Sequence, residues 1–280
     1  MRRSLERVAL FLPLFCAACP PAATLAQRPL QREPRFVLAT YNVNFAIAGD
    51  EPTMRALRGL AADVVLLQET NEAWESALGP WIEREGLHAR FWHSRDWPAG
   101  GAAIVSRWPL RSVRTAPSAV QWFDAQRAIV EGPCGAIEVI NVHLQPPVTR
   151  DGALVRGWFE APTQHEREIN ALWSAIVRRE DAIATIVAGD FNEPEDRGAV
   201  AWLARERRMT SAVAGFAPRA TTWRWSVGPF TLEQRLDHVV YDPTQLRALD
   251  ARVLRAGRSD HLPVRVEFAH RRRCASRAAP

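Results

Sequence analysis

Residues 183–192 read Ile-Ala-Thr-Ile-Val-Ala-Gly-Asp-Phe-Asn. The first six are apolar or β-branched on both faces, as in a strand buried between two layers. Gly189-Asp190-Phe191-Asn192 then ends the strand in a turn that carries a carboxylate and an amide. The segment before it has helical periodicity from Thr163 to about Arg178, with Ile169, Leu172, Trp173, Ile176 and Val177 on one stripe. Thr163 with Glu166 fits a capping box at its start. A second helix is expected over 196–206, with Val200, Leu203 and Ala204 on its apolar face.

Working outward, apolar runs bounded by turn residues recur at 36–43, 63–67, 101–106, 127–131, 137–144, 236–241 and 264–268. These read as strands. Shorter helices are expected at 53–61 and 72–85. Strand–helix alternation mixed with strand-only stretches suggests sheets covered by outer helices, and periodicity goes no further. There is no internal repeat. The folded part should run over 35–268, between a polar lead-in at 27–34 and a basic, Ala-rich tail at 269–280 that is expected to fray.

Polar side chains gather at the ends of these strands. They are Asn42, Glu69 after Gln68, His143 in Asn141-Val142-His143-Leu144, Asp190 and Asn192, Asp237 before His238, and Asp260 before His261, with Arg127 opening a strand. Carboxylate and amide oxygens suit hard cations such as Mg²⁺, and Glu69, Asp190, Asn192, Asp237 and Asp260 supply them. Hydrolysis of a phosphoester also needs a base for water and donors for the phosphoryl oxygens, and His261, His143 and Asn42 are suitable types. Each piece has a plainer reading. Gly-Asp-x-Asn is a common turn, Glu69 fits a helix cap, and His143 fits a hydrogen-bonded strand residue.

The chain of 280 residues is long enough for a full core, with 47% apolar and 24% charged residues. The formal charge is +5, which suits an anionic partner, nucleic acid or an acidic membrane surface. There is no Lys, so all 36 basic residues are Arg, which reads more simply as a compositional bias. The N-terminus reads as an export signal. Arg2, Arg3 and Arg7 precede a short apolar run over 8–18, and Thr24-Leu25-Ala26 offers cleavage before Gln27. The mature chain would then be secreted or periplasmic, with lipid anchoring at Cys19 as the alternative. Outside the signal only Cys134 and Cys274 remain; spacing does not decide whether they pair, and neither has a zinc-ligand pattern. Of eleven Trp, Trp92, Trp97, Trp122, Trp158, Trp223 and Trp225 fall in or near expected loops. They fit packing better than base stacking or membrane contact.

The series Asn42, Gln68-Glu69, Asn141-x-His143, Gly189-Asp190-x-Asn192, Leu236-Asp237-His238 and Ser259-Asp260-His261 resembles, in order and spread, the endonuclease/exonuclease/phosphatase superfamily with the deoxyribonuclease-I-like fold. Supporting segments match it too: Gly101 to Pro109 as a Gly-rich strand ending in Ser-Arg-x-Pro, Arg167-Glu168 in the helix before the Gly-Asp-x-Asn strand, and Thr222-Trp223. The resemblance implies an α+β fold, a four-layer αββα sandwich of two packed sheets flanked by helices, with the site at one edge of the sheets. It implies Mg²⁺ as cofactor, with Mn²⁺ or Ca²⁺ as alternatives, held by Glu69 with Asn42 and Asp260. It implies that Asp190 activates water, that Asn192 and His143 bind the phosphate with Arg127 near it, and that Asp237 orients His261 in an acid/base pair. The stretch that carries an assisting Tyr in the apurinic-endonuclease branch offers only His143 here, which speaks against abasic-site repair. His238 stands where Tyr or Arg is usual, and 144–163 reads as a long loop beside His143 that shapes substrate entry.

The expected activity is therefore metal-dependent hydrolysis of phosphoesters by a monomer with no protein partner. A nuclease leads, ahead of a phospholipid or sphingomyelin phosphodiesterase and a small phosphate-ester phosphatase. A catalytically silent binding module on the same fold is the alternative of another class. The full set from Asn42 to His261 argues against it.

Overall fold

The computed structural model of the chain describes residues 34–271 apart from 133, 148–153 and 177–182. The expected signal at 1–26, all but the last residue of the lead-in, 272–280 of the tail, and Cys274 lie outside the described residues. In chain order the elements are β1 (Arg35–Asn42), α1 (Glu51–Gly59), β2 (Val64–Gln68), α2 (Glu72–Arg84), β3 (His88–Trp92), β4 (Ala102–Ser106), β5 (Leu110–Ala116), β6 (Ala125–Gly132), β7 (Gly135–His143), α3 (Leu154–Ile176), β8 (Ala184–Asp190), α4 (Gly198–Arg207), β9 (Thr210–Ser211), α5 (Ala212–Phe216), β10 (Trp223–Val227), β11 (Phe230–Gln234), β12 (Asp237–Tyr241), β13 (Leu246–Val253) and β14 (Val264–His270).

Two six-stranded sheets form, ordered β13-β14-β1-β2-β4-β3 and β5-β6-β7-β8-β12-β9. Each is built around one parallel pair, β1 with β2 and β7 with β8, inside otherwise antiparallel neighbours. Three apolar clusters separate four layers. Phe36, Leu38, Val64, Leu66 and Ile104 of the first sheet meet Val130, Ile137, Val139, Ile186 and Val239 of the second. Behind the first sheet, Tyr41, Val65 and Leu67 pack on Met54, Leu57, Trp74 and Leu78 of α1 and α2. Behind the second, Ile140, Val142 and Val187 pack on Ile169, Leu172, Val200 and Leu203 of α3 and α4. Strands apolar on both faces, such as 64–67, are thus sandwiched between a sheet and a helix layer. This is the expected αββα arrangement.

The parallel pairs place the site. The C-terminal ends of β1, β2, β7 and β8 lie at one end of the sandwich. The antiparallel β12 starts at the same end, with Asp237 opposite Asp190. The segment after β13 delivers His261 there, just before β14. Across the core, Gln68 Nε2 donates to Asn141 Oδ1 at 2.6 Å and Asn141 Nδ2 to the Leu67 carbonyl at 2.8 Å. These buried amides fix the register of one sheet against the other directly beneath the site.

Several local expectations are corrected. The helix before 184–190 starts at Leu154, not Thr163, so Thr163 is an interior residue and no capping box forms. The supposed loop over 144–163 is therefore short. Its Gly and Pro residues read as non-helical, but Pro162 sits within the helix, which tertiary burial of Ala161, His165, Glu168, Ile169 and Leu172 sustains. Trp92, expected in or near a loop, is the last residue of β3, and Trp223 and Trp225 lie in the β10–β11 hairpin. β14 continues to His270, two residues into the expected tail. Cys134, at the β6–β7 turn, is disulfide-bonded.

Candidate active site

Two left-handed residues stand at the strand ends that form the site. Glu69 (φ 59°) follows β2 and Asn192 (φ 52°) follows β8. Asn tolerates this region, but Glu at positive φ stores strain, which concentrates at functional positions. Glycines allow the close backbone approach. A Cβ at Gly189 would lie 1.9 Å from the Val142 carbonyl oxygen, and one at Gly101 would lie 1.8 Å from that of Thr70. No side chain fits at either position, so β8 lies tight on β7 and β4 closes on the turn carrying Glu69.

Asp190 is the hub. Its Oδ2 accepts from Asn42 Nδ2 at 3.1 Å and lies 3.6 Å from His143 Nε2 and 3.5 Å from His261 Nε2. Its Oδ1 accepts the Asn192 backbone N–H at 2.9 Å. The Asn42 amide also donates to Glu69 Oε1 at 2.9 Å, so one NH₂ group joins two carboxylates. The Phe45 N–H reaches Glu69 Oε2 at 3.3 Å. On the far side, His261 Nδ1 pairs with Asp237 Oδ2 at 2.9 Å. Thr222 Oγ1 accepts the Leu236 and Asp237 N–H groups, each at 2.9 Å, and so holds Asp237 in position. Ser259 accepts the His261 N–H at 3.1 Å and donates to the Asn42 carbonyl at 2.8 Å. Asp260 accepts from Asn44 Nδ2 at 3.0 Å and from Trp223 Nε1 at 3.1 Å.

Burial without enough counter-charge sets the electrostatics. It raises the carboxyls of Glu69 and Asp190 above their ordinary range, against the pull of Asn42 on the first and of His261 on the second. Burial also drives His143 down to about 4, so its ring is neutral. Burial alone would lower His261 as well, but Asp237 and Asp190 outweigh it and hold the ring at about 10. The site thus pairs a neutral imidazole with a charged one, and Asp190 sits between them.

The structure brings together Asn42, Glu69, His143, Asp190, Asn192, Asp237, Asp260 and His261. It does not bring Arg127. The guanidinium is 1% exposed and lies against Glu138 at 2.5 Å, with a second bond to the Ser112 carbonyl at 3.1 Å. The expected phosphate contact is replaced by a buried ion pair, because Glu138 is two residues along the same face from Ile140, the partner of Arg127 in β7. His238 points to the opposite face from Asp237, and its Nε2–H donates to the Glu193 carbonyl 2.8 Å away, so it is a packing residue of β12.

Sequence reasoning missed the support behind the site. The buried ring of His165 bridges Glu193 Oε2 and the Gln145 carbonyl, both at 2.7 Å. Glu168 accepts the Gln145 N–H at 3.2 Å and the Ser118 hydroxyl at 3.0 Å. Together they tie α3 to the segments after β7, after β8 and between β5 and β6. The cue was two polar residues, three apart, on the apolar stripe of a helix.

The ligand atoms of Asp190, Asp237 and His261 all lie within 4.8 Å of one another. His261 Nδ1 is already committed to Asp237, so this trio reads better as a proton relay than as a cation cage. Glu69, joined to Asp190 through the Asn42 amide, offers another carboxylate that could hold a cation.

Matches to other proteins agree with this geometry. No curated protein matches the chain by sequence. Among solved structures, an endonuclease/exonuclease/phosphatase from Beutenbergia cavernae superposes with a TM-score of 0.67 at 18% identity, over 85% of this chain and 72% of that one. The human Nocturnin catalytic domain, solved with a sulfate anion, gives 0.65 at 18% identity, over 85% and 94%. A 3′ phosphatase from Neisseria, solved with a product DNA hairpin, gives 0.58 at 20% identity, over 83% and 99%. These likenesses establish the fold. Over residues 39–261 the sequence matches the Endonuclease/Exonuclease/phosphatase family, and the chain belongs to that family.

Proposed function

We propose that the chain is a divalent-metal-dependent phosphodiesterase whose leading substrate is a nucleic-acid strand. The observation that carries the reaction class is the Asp190 hub between a neutral His143, a charged His261 and the Asn42–Glu69 pair. The donor set fits Mg²⁺: Glu69 is a strained, half-buried carboxylate bonded by two neutral N–H groups, so a cation would relieve an uncompensated charge. Glu69 would hold the ion with Asn42, and Asp260 would support it from the neighbouring loop. When bound, the ion would offset charge at phosphorus.

The protein's own groups account for the rest. Asp190 accepts a proton from water and orients it. Asn192 and His143 donate to the phosphoryl oxygens, His143 through the single N–H that its neutral ring carries. His261, charged and fixed by Asp237, gives its proton to the leaving oxygen. The nucleic-acid reading draws on the Neisseria relative solved with DNA. Export before action remains part of the proposal, on the basic and apolar N-terminal segment. The test is hydrolysis of a single-stranded DNA by the purified chain with Mg²⁺, repeated with a chelator and with Glu69→Ala. Loss of turnover in both, with an unchanged fold by circular dichroism, is expected. Turnover that survives the chelator overturns the metal role.

A further inference from the structure

An aromatic chain runs from the surface to His143. Phe123 stacks on the His143 ring with centroids 4.0 Å apart. Trp122 meets Phe123 edge-on at 5.7 Å, and Trp97 stacks on Trp122 at 4.7 Å. Trp97 comes from the segment between β3 and β4 of the first sheet, and Trp122 from that between β5 and β6 of the second. The stacked pair therefore bridges the two sheets at the end where the site lies.

Core packing accounts for Phe123, which is buried, but not for the two Trp rings. Neither Trp97 nor Trp122 belongs to the three apolar clusters that hold the layers together. Both Trp are only partly buried. They are nevertheless held in place. The Trp122 and Val120 N–H groups donate to the Ser118 hydroxyl at 3.1 and 3.3 Å, and that hydroxyl donates to Glu168 of α3. The Trp97 N–H donates to Ser94 Oγ at 3.1 Å, and the Gly100 N–H to the Trp97 carbonyl at 2.9 Å. Pre-ordered, half-exposed flat rings beside a phosphate-binding imidazole offer a stacking face at little entropic cost.

We propose that Trp97 and Trp122, backed by Phe123, form a ring-stacking subsite that takes the nucleobase next to the scissile phosphate. The inference rests on the phosphodiesterase reading and names the part of the substrate that this wall selects. A flat stacked pair suits a planar base; it does not enclose a quaternary ammonium as an aromatic cage does.

The test compares two phosphodiesters that share a leaving group, p-nitrophenyl thymidine 5′-phosphate and p-nitrophenyl 5-phosphoribose, on the wild-type chain, Trp122→Ala and Trp122→Phe. Base stacking predicts that Trp122→Ala raises KM on the base-bearing ester on the order of tenfold more than on the baseless one, and that Trp122→Phe restores most of it. Tryptophan fluorescence should also be quenched by thymidine 5′-phosphate but not by ribose 5-phosphate, in the His261→Ala chain, with no turnover needed. Equal losses on the two esters, or tighter capture of phosphocholine than of the nucleotide, overturn the subsite. No turnover of either ester by the wild-type chain would instead overturn the phosphodiesterase reading, and the fluorescence comparison would still decide the subsite.

Discussion

Two buried pairs of cation and carboxylate in this protein look alike on paper and differ in what surrounds them. Arg127 and Glu138 lie 2.5 Å apart and are 1% and 0% exposed; His261 and Asp237 lie 2.9 Å apart and are 6% and 0% exposed. The first pair lies within the second sheet, away from the strand ends. Its charges cancel, the Ser112 carbonyl accepts from Arg127 Nη1, and the Thr185 hydroxyl donates to Glu138 Oε2. The second joins the two sheets at their shared end, where a further buried carboxylate, a second imidazole and a strained Glu crowd in. Pairing alone says little about function. What marks the site is charge that the protein buries without balancing it, on backbone held in a costly conformation.

The largest difference between the pairs should appear in rate. His261→Ala is expected to lower kcat about 10⁴-fold and Asp237→Asn nearly as much, because the two act as a unit. The double variant should be scarcely worse than either single one. Steady-state kinetics with a DNA substrate checks this, and effects that multiply would mean that the 2.9 Å contact has no catalytic meaning.

The Arg127 pair should answer in stability instead. Arg127→Met removes the guanidinium that faces the buried Glu138 carboxylate, and breaking such a buried ion pair costs about 3–5 kcal/mol. Urea unfolding should register that loss, while kcat per folded molecule stays within roughly threefold of wild type, since small residual shifts near the site are worth under a kcal/mol. A rate loss comparable to that of His261→Ala would restore Arg127 to the phosphate.

The same contrast explains what the sequence made legible. Strands 64–68, 102–106, 184–190 and 237–241 were readable because nearly every residue is buried and the polar ones stand mostly at the strand ends, leaving an apolar run between turn residues. β5 and β11 were not, because they are exposed over most of their length and their residues, such as Arg111 and Thr231, match loops as well as edge strands. Eight of the nine expected site residues converge, because side chains at strand ends are set by chain order and sheet pairing. The ninth, Arg127, was misjudged. A residue inside a strand can turn along the sheet to a partner such as Glu138, and cross-strand pairing is invisible without register. His165 was missed, and Glu168 was read only as part of a matching helix, for the converse reason: on the helix stripe they occupy core positions, and only the fold reveals that polar loops face them.

The smallest effect expected belongs to that hidden support. Burial pushes the Glu168 carboxyl up to about 7, against the opposing pull of His165 and of the donors Gln145 N–H and Ser118 hydroxyl. A carboxyl raised in the folded state holds its proton more tightly there than in the unfolded chain. Its stabilising share is therefore complete below the ordinary Glu value of about 4.3 and is lost as pH rises through about 7. His165 and Glu193 face the same space, but they are present in wild type and variant alike, so a difference between the two isolates Glu168. Glu168→Gln keeps the size and removes the titration. Melting curves at pH 5 and pH 8 should show the wild-type midpoint falling by roughly 2–4 °C more than that of the variant, the shift expected for about 1 kcal/mol in a domain of this size. Parallel curves would mean that the carboxyl is screened by solvent and that α3 holds the Gln145 and Ser118 segments by shape alone. If the curves diverge as expected, the Trp122 segment, which hangs from Ser118, is tied to a titrating group outside the reacting centre, and the contrast between balanced and unbalanced buried charge extends to the support of the site.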